Sequence, residues 1–208
     1  MILLCTASDD YIEKYKPCIT SQIIWCNKNG YTYKLINGTQ ESRNWKRAKI
    51  DELEILLDTT DEDVCLIDGD CYIKDLCPPI DFLNKKKSIF YVNGKSGRLN
   101  SGFVYFKNND YSRTFIKELK EKLKFSVPRG KGYFVTTEGE NGHIIWLLDE
   151  WKQQGKNVFQ QISFEWNCAS PRMKDRAYIL HFTGSLKKEI HKYNDNLRST
   201  SKSKKQRR

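Results

Sequence analysis

Two aspartates two residues apart, Asp68 and Asp70, follow the apolar run Val64-Cys65-Leu66-Ile67. A short run without polar interruption reads as a buried strand, and open α/β sheets gather their ligands where strands end. Two carboxylates held together there repel each other unless a cation lies between them. A divalent ion that also binds phosphate oxygens is the natural partner. Asp68-Gly69-Asp70 would serve equally as a solvated turn. A second group, His181-Phe182-Thr183-Gly184-Ser185-Leu186-Lys187, stands at the end of another predicted strand. His181 can complete a metal site begun by the two aspartates. Gly184 lets backbone approach a phosphate, and Lys187 can neutralise it. An imidazole ligand tilts the ion from Mg²⁺ towards Mn²⁺. A lone histidine in such a place is also an ordinary structural residue.

The elements that must position these groups alternate between strand and helix patterns, which predicts an α/β domain. Strands are predicted over 2–6, 31–36, 64–67, 88–92, 102–107 and about 177–182. Helices are predicted over 17–29, where Gly30 is the stop signal, and over 43–58, 110–124 and 142–154. In the third of these Tyr111, Phe115 and Leu119 form one stripe; in the last Ile144, Leu147, Leu148 and Trp151 follow the helical period. Residues 125–142, rich in Gly and polar groups, read as a long loop of the kind that tends to be functional.

The 208 residues are about one domain long, and 12% aromatic content excludes a disordered chain. No apolar run is long enough for a transmembrane helix. Met1 to Thr6 lacks the charged start and long apolar core of a signal peptide and reads as a strand. Seven cysteines, an odd count without a CxxC pair, read as buried reduced thiols in a cytoplasmic protein. The net charge is +10, but residues 187–208 hold nine Lys and Arg against two acids, so the body carries only +3. A basic end of this kind is usually a solvated tail. The composition therefore offers no specific nucleic-acid partner and no membrane segment, and the default is a monomer.

Asp68-Gly69-Asp70 after an apolar strand resembles the metal-binding DxD motif of GT-A-fold glycosyltransferases. His181-x-x-Gly184-x-x-Lys187 is similar to the C-terminal motif of the glycogenin and lipopolysaccharide galactosyltransferase family. Trp45-Lys46-Arg47-Ala48-Lys49-Ile50 resembles that family's Tyr-Ala-Arg-Leu-Lys-like helix, and Leu99-Asn100-Ser101-Gly102-Phe103-Val104 its Asn-Ala/Ser-Gly segment. Thr6-Ala7-Ser8-Asp9-Asp10-Tyr11 resembles the loop after the first strand that holds uridine. These segments keep the family's order along nearly the whole body.

The resemblance implies a single GT-A-type α/β domain over 1–191, with a mixed, mostly parallel central sheet flanked by helices, and a basic tail or linker over 192–208. It implies transfer of a sugar from a UDP-sugar donor to a glycan or glycoprotein hydroxyl, with Mn²⁺ (Mg²⁺ as the alternative) and retention of anomeric configuration. Asp68, Asp70 and His181 would hold the metal. Gly69 stands between the two aspartates, and Gly184 and Lys187 would touch the diphosphate. Arg47 and Asn100 would bind sugar hydroxyls, and Ser101 and Gly102 would line the sugar pocket. Tyr11 would stack on the base, whose edge the backbone near Thr6 and Ala7 would read. Glu140 or Glu138 would face the sugar as the catalytic carboxylate; in an inverting enzyme the same group would act as base. Two departures stand out. Lys188-Glu189 occupies the place of the family's Pro-Trp, and Glu140-Asn141 that of its Asp-Gln pair. In composition and compactness the chain is similar to chlorella-virus transferases of capsid glycans, which suggests a viral or bacterial source.

Two other classes accommodate parts of the same sequence. Asp-x-Asp also resembles haloacid-dehalogenase-type phosphatases, whose first Asp is the nucleophile. That motif normally follows the first strand and is trailed by Thr or Val, where this chain has Tyr72. A non-catalytic module binding RNA or another acidic polymer would instead use the basic tail.

Overall fold

The computed structural model describes residues 1–37, 45–80, 86–130 and 140–193. Its centre is a six-stranded sheet in the order β2-β1-β3-β6-β5-β7. The strands are β1 (Ile2–Ala7), β2 (Thr32–Asn37), β3 (Val64–Asp68), β5 (Ile89–Asn93), β6 (Leu99–Phe106) and β7 (Phe159–Gln161). β6 alone runs against the others, pairing antiparallel with both β3 and β5. β1 is parallel to β2 and β3, and β5 to β7. A second sheet joins β4 (Cys71–Ile73) antiparallel to β8 (Ile179–His181).

Helices are α1 (Asp9–Lys14), α2 (Lys16–Asn29), α3 (Trp45–Thr59), α4 (Asp110–Lys122) and α5 (Glu140–Gln153). Successive side chains of a strand point to opposite faces, and the core divides accordingly. Ile2, Leu4, Val64, Leu66, Val104 and Phe106 pack on one side with Leu53, Phe115, Leu119, Leu148 and Trp151 of α3, α4 and α5. Leu3, Cys5, Cys65, Ile67 and Phe103 pack on the other with Ile19, Trp25 and Cys26 of α2. Burial on both faces is why β1 and β3 read as continuous apolar runs. Gly30 ends α2 in the left-handed conformation, φ +67°, and the Asn109 side chain caps α4 by accepting from Ser112 N at 3.1 Å.

The predicted strands and helices are present, with shifted ends. Helix α1, strands β4 and β7 and three 3-10 turns were not anticipated. β4 and β7 have three residues each, too few to show a period, and β4 exists only because distant β8 pairs with it. Thr6 and Ala7 belong to β1 and Tyr11 to α1, so the expected loop after the first strand is reduced to Ser8. Leu99-Asn100-Ser101 is strand: β6 continues past a register shift between Tyr91 and Val92 of β5, which places Asn100 opposite Val92. All seven cysteines are free and buried. Among the described residues no helix is long and apolar enough to cross a membrane. Glu138 and the tail beyond residue 193 lie outside the described residues.

Candidate metal and donor site

Asp68 is the last residue of β3, and Asp70 ends the turn that leads into β4. Antiparallel pairing sets Cys71 opposite His181, and Phe182 N donates to the Asp70 carbonyl at 2.9 Å. The two motifs, far apart in sequence, therefore meet at one sheet edge. His181 Nε2 lies 3.3 Å from Asp70 Oδ1 and 3.8 Å from Asp68 Oδ2. The turn itself is held from behind. The wholly buried Gln22 of α2 donates through Nε2 to the carbonyls of Asp68 (3.0 Å) and Cys71 (2.8 Å).

Lys49 of α3 is 1% exposed and reaches the same place. Its Nζ donates to Asp68 Oδ1 at 2.6 Å and to Glu140 Oε1 at 3.1 Å. Burial pulls the ammonium pKa down, but the two carboxylates outweigh it and hold the lysine charged. Burial pushes Glu140 up; Lys49 and a hydrogen bond from the Ser101 hydroxyl bring it below the ordinary carboxylate value. Burial raises Asp68, and Lys49 and His181 oppose that only in part. Asp70 is lowered, because the pull of His181 and the Tyr11 hydroxyl exceeds its desolvation. Burial lowers His181, yet Asp70 and then Asp68 raise it above a free imidazole. Metal binding calls for ionised carboxylates and a neutral imidazole, and in that state three negative groups face one ammonium. The excess charge suits a divalent cation.

His181 rests on backbone. A Cβ built on Gly102 would lie 2.5 Å from His181 Nδ1 and 2.9 Å from Asn100 Oδ1, so only glycine leaves room for the ring. Gly102 N donates to Asn100 Oδ1 at 2.9 Å, and Ser101 N donates to Asn141 Oδ1 at 2.8 Å, which fastens β6 to the start of α5. The ligand-type atoms of Asp70, Cys71 and His181 lie within 4.8 Å of one another. Burial raises the Cys71 thiol well above its usual pKa, and its Sγ donates to the Gly102 carbonyl at 3.4 Å. A protonated, engaged thiol is a poor ligand. Asp68, Asp70 and His181 form the better donor set.

The remaining predicted residues divide. Thr6 pairs with Asp68 across β1 and β3, and Ala7 Cβ lies 3.2 Å from where a Gly69 Cβ would be. The half-buried Tyr11 borders Gly69, and its ring packs tilted against that of Tyr15 with centroids 4.4 Å apart. Asn100, Asn141, Thr183 and Gly184 share a cavity of about 260 Å³ with Lys95. Gly184 has φ +54° and opens the 3-10 turn Gly184–Glu189, on which Lys187 is exposed. Arg47 stands two residues before Lys49. Of the two, it is Lys49 that joins Asp68 to Glu140. His143 is a structural tie, donating from Nε2 to the Phe125 carbonyl at 2.8 Å.

Lys49, Gln22 and Asn167, an amide 3.0 Å from His181 Nδ1, were missed as site residues. Lys49 did leave a signal. It falls within about 20° of Leu56 on the helical wheel, a charge inside an apolar stripe.

No protein-family model and no curated protein matches the sequence. Solved structures do resemble this one. A glycosyltransferase involved in glycosylation of the major capsid of PBCV-1 has a TM-score of 0.67 at 12% identity, over 93% of this chain and 98% of that one. The galactosyltransferase LgtC, in complex with donor and acceptor sugar analogues, has a TM-score of 0.58 at 13% identity, over 89% of this chain and 88% of that one. GlyE of Streptococcus pneumoniae TIGR4 has a TM-score of 0.58 at 13% identity, and the match covers 92% of this chain but 59% of that one. The chain has the GT-A fold of these glycosyltransferases.

Proposed function

We propose that this protein is a metal-dependent glycosyltransferase. It moves a hexose from a UDP-sugar to a hydroxyl of a glycan or glycoprotein acceptor, with retention of configuration. The observation that carries this reading is the meeting of Asp68, Asp70 and His181 at one end of a GT-A sheet. Two of the similar structures, a capsid glycosylation enzyme and a galactosyltransferase in complex with donor and acceptor analogues, support sugar transfer.

The residues fit a divalent ion: two carboxylates and an imidazole nitrogen converge, and negative charge exceeds positive. Mn²⁺, or Mg²⁺ in its place, held by Asp68, Asp70 and His181 would act as Lewis acid on the leaving diphosphate. Lys187 and the backbone at Gly184 bind the same diphosphate. Asn100 and Arg47 hydrogen-bond the sugar hydroxyls, beside Ser101 and Gly102. The Tyr11 ring stacks on uracil and the backbone at Thr6 and Ala7 reads its edge. The bond between anomeric carbon and diphosphate oxygen breaks as that carbon takes the acceptor oxygen, the acceptor's proton passes to the departing diphosphate oxygen, and positive charge grows on the sugar ring. Glu140, kept ionised by Lys49, faces that charge; Glu138 is the alternative carboxylate.

The test is calorimetric titration of UDP, GDP and CMP into wild type and Asp70→Ala, with Mn²⁺ and with EDTA. Expected is metal-dependent binding of UDP alone, lost in the variant. Absence of nucleotide binding with metal present overturns the reading, and release of phosphate from a phosphomonoester would point to the phosphatase class.

A further inference from the structure

We propose that Asn167 is the positioning residue of this metal site: it holds His181 in the tautomer whose Nε2 lone pair faces Asp68 and Asp70. The inference rests on the metal-site reading above and adds a residue to it. Asn167 is 3% exposed and follows the 3-10 turn Phe164–Trp166. The next residue is keyed to β8, with Cys168 N donating to the Ile179 carbonyl and His181 N to the Cys168 carbonyl, both at 2.9 Å. This backbone register sets the Asn167 amide beside the imidazole.

The orientation of that amide follows from its partners. Asn167 Nδ2 lies 3.2 Å from the Asn100 backbone carbonyl, which can only accept. It also lies 3.0 Å from Asn100 Oδ1, whose identity is fixed by the N–H of Gly102. The nitrogen must therefore point to Asn100 and the oxygen to His181. Asn167 Oδ1 is 3.0 Å from His181 Nδ1, so Nδ1 must carry hydrogen and donate. In the neutral ring Nε2 is then unprotonated, and Nε2 is the atom near both aspartates. The hydrogen bond on one ring nitrogen decides which nitrogen binds a metal. A carboxylate would give Nδ1–H the same acceptor. It would also add a fourth negative group and place it against the Asn100 carbonyl. The neutral amide avoids both, and its N–H groups link the histidine to the cavity wall at Asn100.

Two readouts test this. Nitrogen-15 NMR of the His181 ring, taken at alkaline pH where it is neutral and again with Mg²⁺, is expected to show Nδ1 protonated. Mn²⁺ affinity, read from the free-ion signal in electron paramagnetic resonance, is expected to fall about 10- to 100-fold in Asn167→Ala. In Asn167→Asp, which keeps the acceptor but adds charge and loses the donors to Asn100, the neutral ring is expected to stay protonated at Nδ1. An Nε2-protonated ring in the wild type, or wild-type Mn²⁺ affinity in folded Asn167→Ala, overturns the assignment. If Asn167→Ala does not fold, the wild-type spectrum and Asn167→Asp decide. Wild-type protein that binds no Mn²⁺ overturns the metal reading itself.

Discussion

Lys49 Nζ sits 2.6 Å from Asp68 Oδ1 while also holding Glu140, so one buried ammonium joins the DxD turn to the first residue of α5. Replacing it with an apolar side chain would leave the buried Glu140 carboxylate without its ammonium and would strip the half-buried Asp68 of the nearer of its two cationic neighbours, His181 being the other. Removing one partner of a buried ion pair typically destabilises by about 3–5 kcal/mol. Lys49→Met is expected to lose that much in urea denaturation. Lys49→Met with Asp68→Asn and Glu140→Gln should recover much of it. A single variant as stable as wild type would mean that the ammonium does not hold the site together.

The packing of His181 on Gly102 gives a second expectation. A Cβ at Gly102 would come 2.5 Å from the ring nitrogen, so the ring or β6 must shift. Overpacking of this kind costs about 1–3 kcal/mol. Gly102→Ala is expected to stay folded but to lose Mn²⁺ affinity measurably. Gly184→Ala meets no atom within 4 Å of its Cβ and suffers only from φ +54°. It should lose about 1–2 kcal/mol of stability and keep its metal affinity.

These two cases also mark what was legible in the sequence. β1, β3, α2 and α4 could be read because burial on both sheet faces, a Gly stop and an amphipathic stripe are local patterns, although of the stripe read into α4 only Phe115 and Leu119 are buried and Tyr111 is exposed. The DxD and His-x-x-Gly-x-x-Lys segments could be read because each is a short motif at a strand end, and β4–β8 pairing brings Asp70 and His181 together. Asn167 and Gln22 could not. Each acts through a single hydrogen-bonded side chain on a partner distant in sequence, and an isolated amide carries no periodic or spacing signal. Lys49 was visible as an anomaly, but its second partner lies on α5, and no local pattern connects the two.

The buried thiols set a limit at alkaline pH. Burial pushes Cys5, Cys26 and Cys77 each to about 12 from an ordinary value of 9.0. Between those values the unfolded chain has lost the proton and the folded chain keeps it. The unfolded state then binds fewer protons, so stability falls as pH rises. Their protons place no penalty on the fold below pH about 9. Urea titrations at rising pH are expected to show midpoints declining above that point, less so when Cys5 is replaced by Ala. Thiol reagents should react slowly with the native protein and reach all seven cysteines in denaturant. Rapid native labelling would contradict the burial.

Glu140→Gln separates charge from shape. Glutamine keeps an oxygen that can accept from Lys49 Nζ and from the Ser101 hydroxyl, so α5 should remain fastened to α3 and β6. What disappears is the negative charge. If Glu140 faces the sugar as charge grows on the ring, the loss acts on the transition state more than on the bound donor. Removing a group that stabilises developing charge lowers kcat by about 10²–10³, and kcat should fall with little change in KM. Calorimetry should find UDP and Mn²⁺ bound as in wild type. A matched fall in donor affinity would make Glu140 a binding residue. An unchanged kcat would move the role to Glu138, and Glu138→Gln then becomes the variant whose turnover decides between the two carboxylates.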